Sequence, residues 1–258
     1  MFEHPYLRID TPHEMAHQGG GGEHVENTWP AFERAVQLGY RIIETDTQVT
    51  SDGVLLAFHD ETLDRVTTLT GRVSDLPWSE VSEARTKIGG HELVRLDDLL
   101  DRWPGVRVNI DVKTEEALEP TIELIDRLDR WDTVLVASFS DVRIRKLRRR
   151  SGGRACTNLG RIATAIVRVA SLLPIRPPVL FGGDAAQIPT KQWFIPIADR
   201  RFVDAAHRAG LAVHVWTIDD ADEMRRLLDL GVDGIITDEP TILREVLESR
   251  GEWRGETS

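Results

Sequence analysis

Two histidines and three carboxylates in the first half of the chain stand where chemistry could be done. His17 lies in Met15–Gly19, the first short strand-like run. Glu44 and Asp46 lie two apart in Tyr40–Thr50 (YRIIETDTQVT), which reads as a strand. His59 follows the next run, Val54–Phe58, and Asp111 and Lys113 close Val106–Val112 (VRVNIDV) and its exit. Residues two apart on a strand project from one face. Glu44 and Asp46 therefore point together, and so do Asp111 and Lys113. Convergent carboxylates repel one another unless a cation offsets them, and a bound divalent ion is the simplest neutraliser. Oxygen-only ligation selects a hard cation, Mg²⁺ or Ca²⁺, over Zn²⁺. Imidazoles titrate near neutral pH, so His17 and His59 suit an acid and a base on two sides of a substrate. A lysine beside the metal favours an anionic substrate, a phosphate above all. Taken singly, Glu-x-Asp is more often a solvated strand face, Asp-x-Lys a surface ion pair and a lone His a structural residue. Their joint placement at successive strand ends carries the reading.

The elements that must position these groups alternate. Asn27–Leu38 has a helical apolar stripe through Ala31, Phe32, Ala35, Val36 and Leu38, closed by Gly39. Val54–Phe58 pairs with Tyr40–Thr50 across a Ser51-Asp52-Gly53 turn. Asp60–Gly90 is polar and turn-rich, with a short helical stretch at Ser79–Ala84, and reads as an insertion over one end of the domain. Helices follow at Leu96–Trp103, Glu115–Leu128, Val142–Arg149, Arg161–Leu173, Arg201–Ala209, Ala221–Leu230 and Thr241–Ser249. Strands are expected at Thr133–Phe139, Arg154–Leu159, Ala185–Pro189, Ala212–Ile218 and Gly234–Thr237. About eight strand–helix repeats in a chain of this size fit a (β/α)₈ barrel with a small insertion after the second β unit. A doubly wound open sheet is the alternative. No Gly-x-Gly-x-x-Gly with a following acid marks a dinucleotide site, and Gly19–Gly22 lacks the lysine of a P-loop. One domain over 1–258 is expected, with a mobile tail over 251–258.

The chain has 258 residues and a formal charge of −11, which removes the electrostatic footprint of a nucleic-acid binder, although Arg143–Arg150 is a local basic run. A single cysteine, Cys156, excludes an intrachain disulfide and a cysteine zinc cage; it reads as a core filler. The start MFEHPYLRID lacks the apolar stretch of a signal peptide, so a cytoplasmic location is expected. Ile162–Ile175 is the most apolar stretch, but Arg168 and Pro174 break it and it is too short to span a bilayer. Among the remaining histidines, His4, His13, His24 and His91 read as loop residues, His207 as part of an outer helix, and His214 as a packing residue. Trp216, two along the strand from His214, stands near a strand end and could wall a substrate pocket.

These residues resemble the glycerophosphodiester phosphodiesterase family over nearly the whole chain. AHQGG with ENTWPAF (Ala16–Gly20, Glu26–Phe32) is similar to its opening signature. GYRIIETDTQVTSDGVLLAFHDETLDRVT (Gly39–Thr67) is similar to its most specific block. VNIDVK, SFSD, VHVWTI and GVDGIITDEP resemble its later ones. The resemblance implies a (β/α)₈ barrel and metal-dependent hydrolysis of glycerophosphodiesters to glycerol 3-phosphate and an alcohol. It implies His17 and His59 as the acid–base pair; within that pair our own reading takes His17 as base and His59 as acid. It implies Glu44, Asp46 and Asp111 as ligands of one Mg²⁺ or Ca²⁺, and Lys113 on the phosphate. Many members carry Glu where Asp111 stands. Gln18 replaces the arginine that follows the first histidine in the family pattern and that contacts the phosphate. It keeps hydrogen-bond donors but loses the charge and the fork. A low-activity phosphodiester-binding homologue is therefore one alternative. Lysophospholipase D-type cleavage of a lysophospholipid is another, with Ile162–Ile175 lining an acyl path or touching a membrane. The default for that segment is a barrel helix packed on the sheet.

Overall fold

Short apolar runs with one buried face, each followed by an amphipathic segment, leave the chain few arrangements other than layered β–α units. The structure is a computed structural model that describes residues 2–192 and 194–255. In chain order it runs β1 (His13–Ala16), α1 (Trp29–Gln37), β2 (Ile42–Val49), β3 (Leu55–Ala57), α2 (Trp78–Val81), α3 (Leu96–Arg102), β4 (Arg107–Val112), α4 (Leu118–Arg127), β5 (Val134–Ala137) and α5 (Asp141–Arg150). It continues with β6 (Cys156–Thr157), α6 (Arg161–Ala170), β7 (Ala185–Pro189), β8 (Lys191–Gln192), β9 (Ile195–Pro196), α7 (Arg200–Ala209), β10 (Ala212–Trp216), α8 (Ala221–Asp229), β11 (Gly234–Thr237) and α9 (Pro240–Ser249).

Hydrogen-bonded neighbours follow the order β6–β5–β4–β2–β1–β11–β10–β7, and every adjacent pair along it is parallel. A parallel bridge between Asn158 and Ala185 joins the two ends. This is the (β/α)₈ barrel expected from the alternation of elements. β3 lies outside the round, antiparallel to β2, as the turn at Ser51–Gly53 predicts.

Strand parity sorts the side chains into two cores. Met15, Ile42, Leu135, Cys156, Ala212 and Ile236 pack together inside the barrel. Their neighbours of opposite parity, such as Ala16, Ile43, Val134 and Val213, pack outward against the helices. A third cluster, with Leu56, Phe58, Leu63, Val73, Val81 and Leu93, lies beneath the segment expected to be an insertion. That segment has little regular structure and rests on isolated bridges such as Thr67 with Thr86. No helix among the described residues is long and apolar enough to cross a membrane.

Several local expectations need correction. β1 begins at His13 and ends at Ala16, so His17 sits in the tight turn beyond the strand. β6 keeps only two of the residues expected from Arg154–Leu159. The β8–β9 hairpin has no counterpart in the sequence reading. Residues 256–258 of the expected mobile tail lie outside the described residues; ahead of them, Trp253 packs edge-on to Tyr40 with ring centroids 5.4 Å apart. His13 is not a loop residue. It lies fully buried inside the barrel, with Nδ1 3.0 Å from Nε2 of His214. Its polar neighbour Glu14 misled the reading; that carboxylate is held by Arg41 at 2.6 Å.

Burial pushes His13 down to about 4 and His214 well below the usual histidine value. Both folded-state values are depressed, so the unfolded chain takes up protons that the fold refuses. Stability is therefore full above about pH 6.5 and is lost as pH falls from there towards 4; for His13 the loss by pH 4 is about 3 kcal/mol. Urea unfolding of the wild type and of His214→Gln from pH 7 to 4.5 checks this. The wild-type advantage should shrink by roughly 2 kcal/mol across that range, and a constant difference contradicts it.

Candidate active site

The inward parity that carries apolar side chains at one end of the barrel carries charge at the other. In the β2–β4 ladder, Glu44 stands opposite Asn109 and Asp46 opposite Asp111. Ile42, Glu44 and Asp46 share one face of β2, so the strand passes from packed core to acidic rim within two turns of the pleat. His17, Glu44, Asp46, His59, Asp111, Lys113 and Trp216 all line one cavity of about 270 Å³.

His17 gets there through a turn that demands glycine. Gly19 has φ +82°, and a Cβ on it would lie 2.8 Å from the Phe32 ring and 2.9 Å from the Ala31 backbone. Nδ1 of His17 is 2.7 Å from Oδ1 of Asp238, which follows β11 and is itself held by its backbone N–H donating to Asp219 at 2.8 Å. Nε2 is 3.8 Å from Glu44 Oε2. Burial alone would lower the pKa of His17, but Glu44 and the Asp238 hydrogen bond overcome it and push the imidazole up to about 9.

His59 arrives by way of β3. The antiparallel return brings the Phe58 N–H to the Asp46 carbonyl at 3.0 Å, so the next residue lands at the acidic rim. Nδ1 of His59 is 2.7 Å from Asp60, whose other oxygen accepts from Arg65 at 2.5 Å, and Arg65 in turn grips Glu26 at 2.6 Å. The two imidazoles are thus built alike, each with Nδ1 on a carboxylate and Nε2 left for other chemistry.

The acidic cluster is held by few positive groups. Lys113 Nζ lies 2.7 Å from Asp46 and 2.8 Å from Asp111, and these two carboxylates keep its ammonium charged against the penalty of burial. Burial pushes Glu44 up to about 8, against the pull of His17, and raises Asp111, against the pull of Lys113. Arg143 from the basic helix α5 also turns inward. Its guanidinium donates to the Val112 carbonyl at 2.8 Å and to Ser138 at 2.7 Å, and it opposes the rise at Asp111. Three more groups of that basic run are paired with acids: Lys146 with Glu115, Arg148 with Asp184 and Arg150 with Glu119.

Among the described residues, no three His, Cys, Asp or Glu side chains stand close enough together to grip an ion as they are placed. Lys113 occupies the ground between Asp46 and Asp111. The donor chemistry nevertheless fits a hard cation. Glu44 is buried, and the hydrogen bond it receives is the Gln18 backbone N–H at 3.2 Å. Across the ladder from it, Asn109 Oδ1 is buried with no hydrogen-bond partner. Oxygens in this state suit Mg²⁺ or Ca²⁺.

Gln18 departs from its expected place. Its Nε2 donates to Asp46 at 2.6 Å and its side chain is buried beneath the carboxylates, so it does not line the cavity. Trp216 stands at the cavity wall, where its ring meets Phe139 edge-on at 5.7 Å. The sequence reading passed over Asn109, Asp238 and Phe139. Asn109 was legible as the residue two before Asp111; Asp238 and Phe139 each lie at the end of an expected strand.

Comparison with known proteins places these features in a family. The model of the glycerophosphoryl diester phosphodiesterase family matches residues 17–242. A protein named probable glycerophosphodiester phosphodiesterase 2, from Mycobacterium tuberculosis, is 39% identical over 97% of this chain and 96% of its own length. A putative glycerophosphoryl diester phosphodiesterase from Silicibacter pomeroyi superposes with a TM-score of 0.80 at 21% identity, covering 96% of this chain and 98% of the other. A phosphodiesterase from Oleispira antarctica, solved in complex with the product sn-glycerol-3-phosphate, superposes with a TM-score of 0.76 at 20% identity, covering 92% and 97%.

Removing the one ammonium between two buried carboxylates leaves their charges uncompensated. Lys113→Met should destabilise the metal-free protein by about 3 kcal/mol, read as a lower urea midpoint. A midpoint unchanged from wild type contradicts this placement of Lys113.

Proposed function

Since the chain belongs to the glycerophosphoryl diester phosphodiesterase family, we propose that it hydrolyses glycerophosphodiesters to glycerol 3-phosphate and an alcohol, with His17 and His59 as its acid–base pair. The observation that carries this is the pairing itself: two imidazoles face one cavity across an acidic cluster, each with Nδ1 on a carboxylate. Glu44, Asp46 and Asp111 would hold one divalent cation, Mg²⁺ or Ca²⁺. When bound, it offsets the charge that develops on the phosphoryl oxygens.

The side chains supply the rest. Lys113 lines the cavity with a charged ammonium and presents it to the phosphate. Its Nζ, 2.7 Å from Asp46 and 2.8 Å from Asp111, would share those carboxylates with a bound cation while keeping its charge at the cavity wall. Gln18 orients Asp46 and makes no phosphate contact of its own, which supports Lys113 as the principal positive side chain there. Trp216 and Phe139 form an aromatic wall that packs against the carbon skeleton of the glycerol and excludes water from that side.

The proton path follows from the surroundings of the two rings. Asp238, which is not one of the cation's ligands, accepts from Nδ1 of His17 at 2.7 Å and favours the protonated imidazole, which suits a donor better than an acceptor. His59 then takes the proton of the attacking hydroxyl, and His17 delivers one to the leaving alcohol. This reverses the order expected from the sequence.

Either histidine replaced by alanine should lower kcat about 10²–10⁴-fold with an unchanged circular dichroism spectrum. A diester with a p-nitrophenol leaving group needs no acid, so it should recover most of the loss in His17→Ala and little in His59→Ala. Recovery in His59→Ala instead restores the original order; near-normal rates in both variants contradict the acid–base pair. Dialysis against a chelator should abolish turnover, and Mg²⁺ or Ca²⁺ should restore it.

A further inference from the structure

The two imidazoles each rest Nδ1 on a carboxylate, but what stands behind that carboxylate differs. Among the described residues, His17 is the one ion-pair partner of the Asp238 side chain. Asp60 is gripped from behind by Arg65. Nε of Arg65 donates to Oδ2 at 2.5 Å, and Nη2 donates at 3.1 Å to Oδ1, the oxygen that meets Nδ1 of His59 at 2.7 Å. The other edge of the same guanidinium holds Glu26, with Nη1 at 2.8 Å and Nη2 at 2.6 Å. Each carboxylate is held by two donors, an arrangement that needs the planar fork of arginine.

Both ends of this clamp are anchored. Glu26 precedes Asn27, whose backbone N–H donates to the Gln18 carbonyl at 2.9 Å and whose Oδ1 accepts from Thr45 Oγ1 at 2.7 Å. Gln18 follows His17 in the chain, and Thr45 stands between Glu44 and Asp46. At the other end, Lys87 donates through Nζ to the carbonyls of Asp64 and Arg65 and through its backbone N–H to the Val66 carbonyl at 2.9 Å. The insertion thus reaches back through Arg65 to the loop that carries the first imidazole. His59 has need of such support. Its side chain is 45% exposed, and among the described residues the bond to Asp60 is the one hydrogen bond its ring makes. A ring so placed swings or changes tautomer unless its carboxylate is itself fixed.

We propose that Arg65 is a positioning residue of the reaction: by clamping Asp60 against Glu26 it fixes His59 as the Nδ1–H tautomer, with the Nε2 lone pair turned to the cavity, at a set place relative to the loop of His17. The inference rests on the hydrolase reading above and gives the insertion a part in it. Nε2 takes the proton of the attacking hydroxyl, while Nδ1–H stays donated to Asp60, which remains a carboxylate throughout. The Arg65 hydrogen bond, with that of His59 behind it, holds the Asp60 carboxyl below the usual aspartate range, so it accepts and does not donate. Arg65 itself lies outside the cavity lining and acts through His59 alone.

The test is a cycle of variants assayed on glycerophosphocholine. Arg65→Met should lower kcat about ten- to a hundredfold, with KM within about twofold of wild type. In the His59→Ala background the same substitution should cost less than about twofold, because the ring it serves is gone. Arg65→Lys should not restore the rate, since an ammonium cannot fork onto two carboxylates. Glu26→Gln should lower kcat in the same direction and carries the test if Arg65→Met fails to fold. Equal losses in the two backgrounds, or full activity in Arg65→Lys, overturn the proposal. Nitrogen-15 NMR of the histidine rings reads the geometry without turnover. Neutral His59 should carry its proton on Nδ1 in the wild type and mix both tautomers in Arg65→Met; a single unchanged tautomer in both proteins overturns the clamp. If the tautomer responds but the wild type does not hydrolyse glycerophosphocholine, the clamp stands and the hydrolase reading alone fails.

Discussion

Burying like charges side by side is the constraint around which this molecule is arranged. Glu44, Asp46 and Asp111 lie within the mouth of a barrel, where water is scarce and each carboxylate raises the cost of ionising the next. Lys113 bridges two of them, and His17 leans on the third. The cluster is polar machinery that the hydrophobic core must tolerate, and the rest of the fold makes it tolerable. Neighbouring parallel strands fix the register, a tight turn holds His17, and an antiparallel return delivers His59 to the same rim.

Axial position decides what an inward-facing residue becomes. The same parity that sets Glu44 and Asp46 at the mouth sets Ile42 deeper and places His13 and His214 in contact at the far end. There the histidines are neutral and serve packing. At the mouth His17 is surrounded by acids and is pushed towards the charged form. One side-chain type therefore takes opposite roles within a single barrel, because burial without a counter-charge and burial against carboxylates shift its proton affinity in opposite directions.

Much of this was legible in the sequence because both signals are periodic. The alternation of short apolar runs with amphipathic segments predicts the barrel, and spacing by two residues predicts that Glu44 with Asp46, and Asp111 with Lys113, share a face. What was lost depends on contacts between distant segments. Nothing near Gln18 in the chain shows that its amide would turn under the carboxylates to Asp46. Asp238 meets His17 only because β11 closes on β1, and His13 looked like a loop residue because Pro12 and Glu14 flank it. For Ile162–Ile175 the sequence left two readings, a packed helix by default and an exposed apolar face as the alternative, and only the placement of Ile162 and Val169 at the surface shows that α6 has both faces.

The claim on which the chemistry depends is that the acidic rim binds a dication. Isothermal titration of Mg²⁺ or Ca²⁺ into the wild type and into Glu44→Gln is its most direct measurement. One ion should bind per chain in the wild type, with affinity falling by an order of magnitude or more when the Glu44 charge is removed. Equal binding in the two proteins, or none in either, contradicts the cation site.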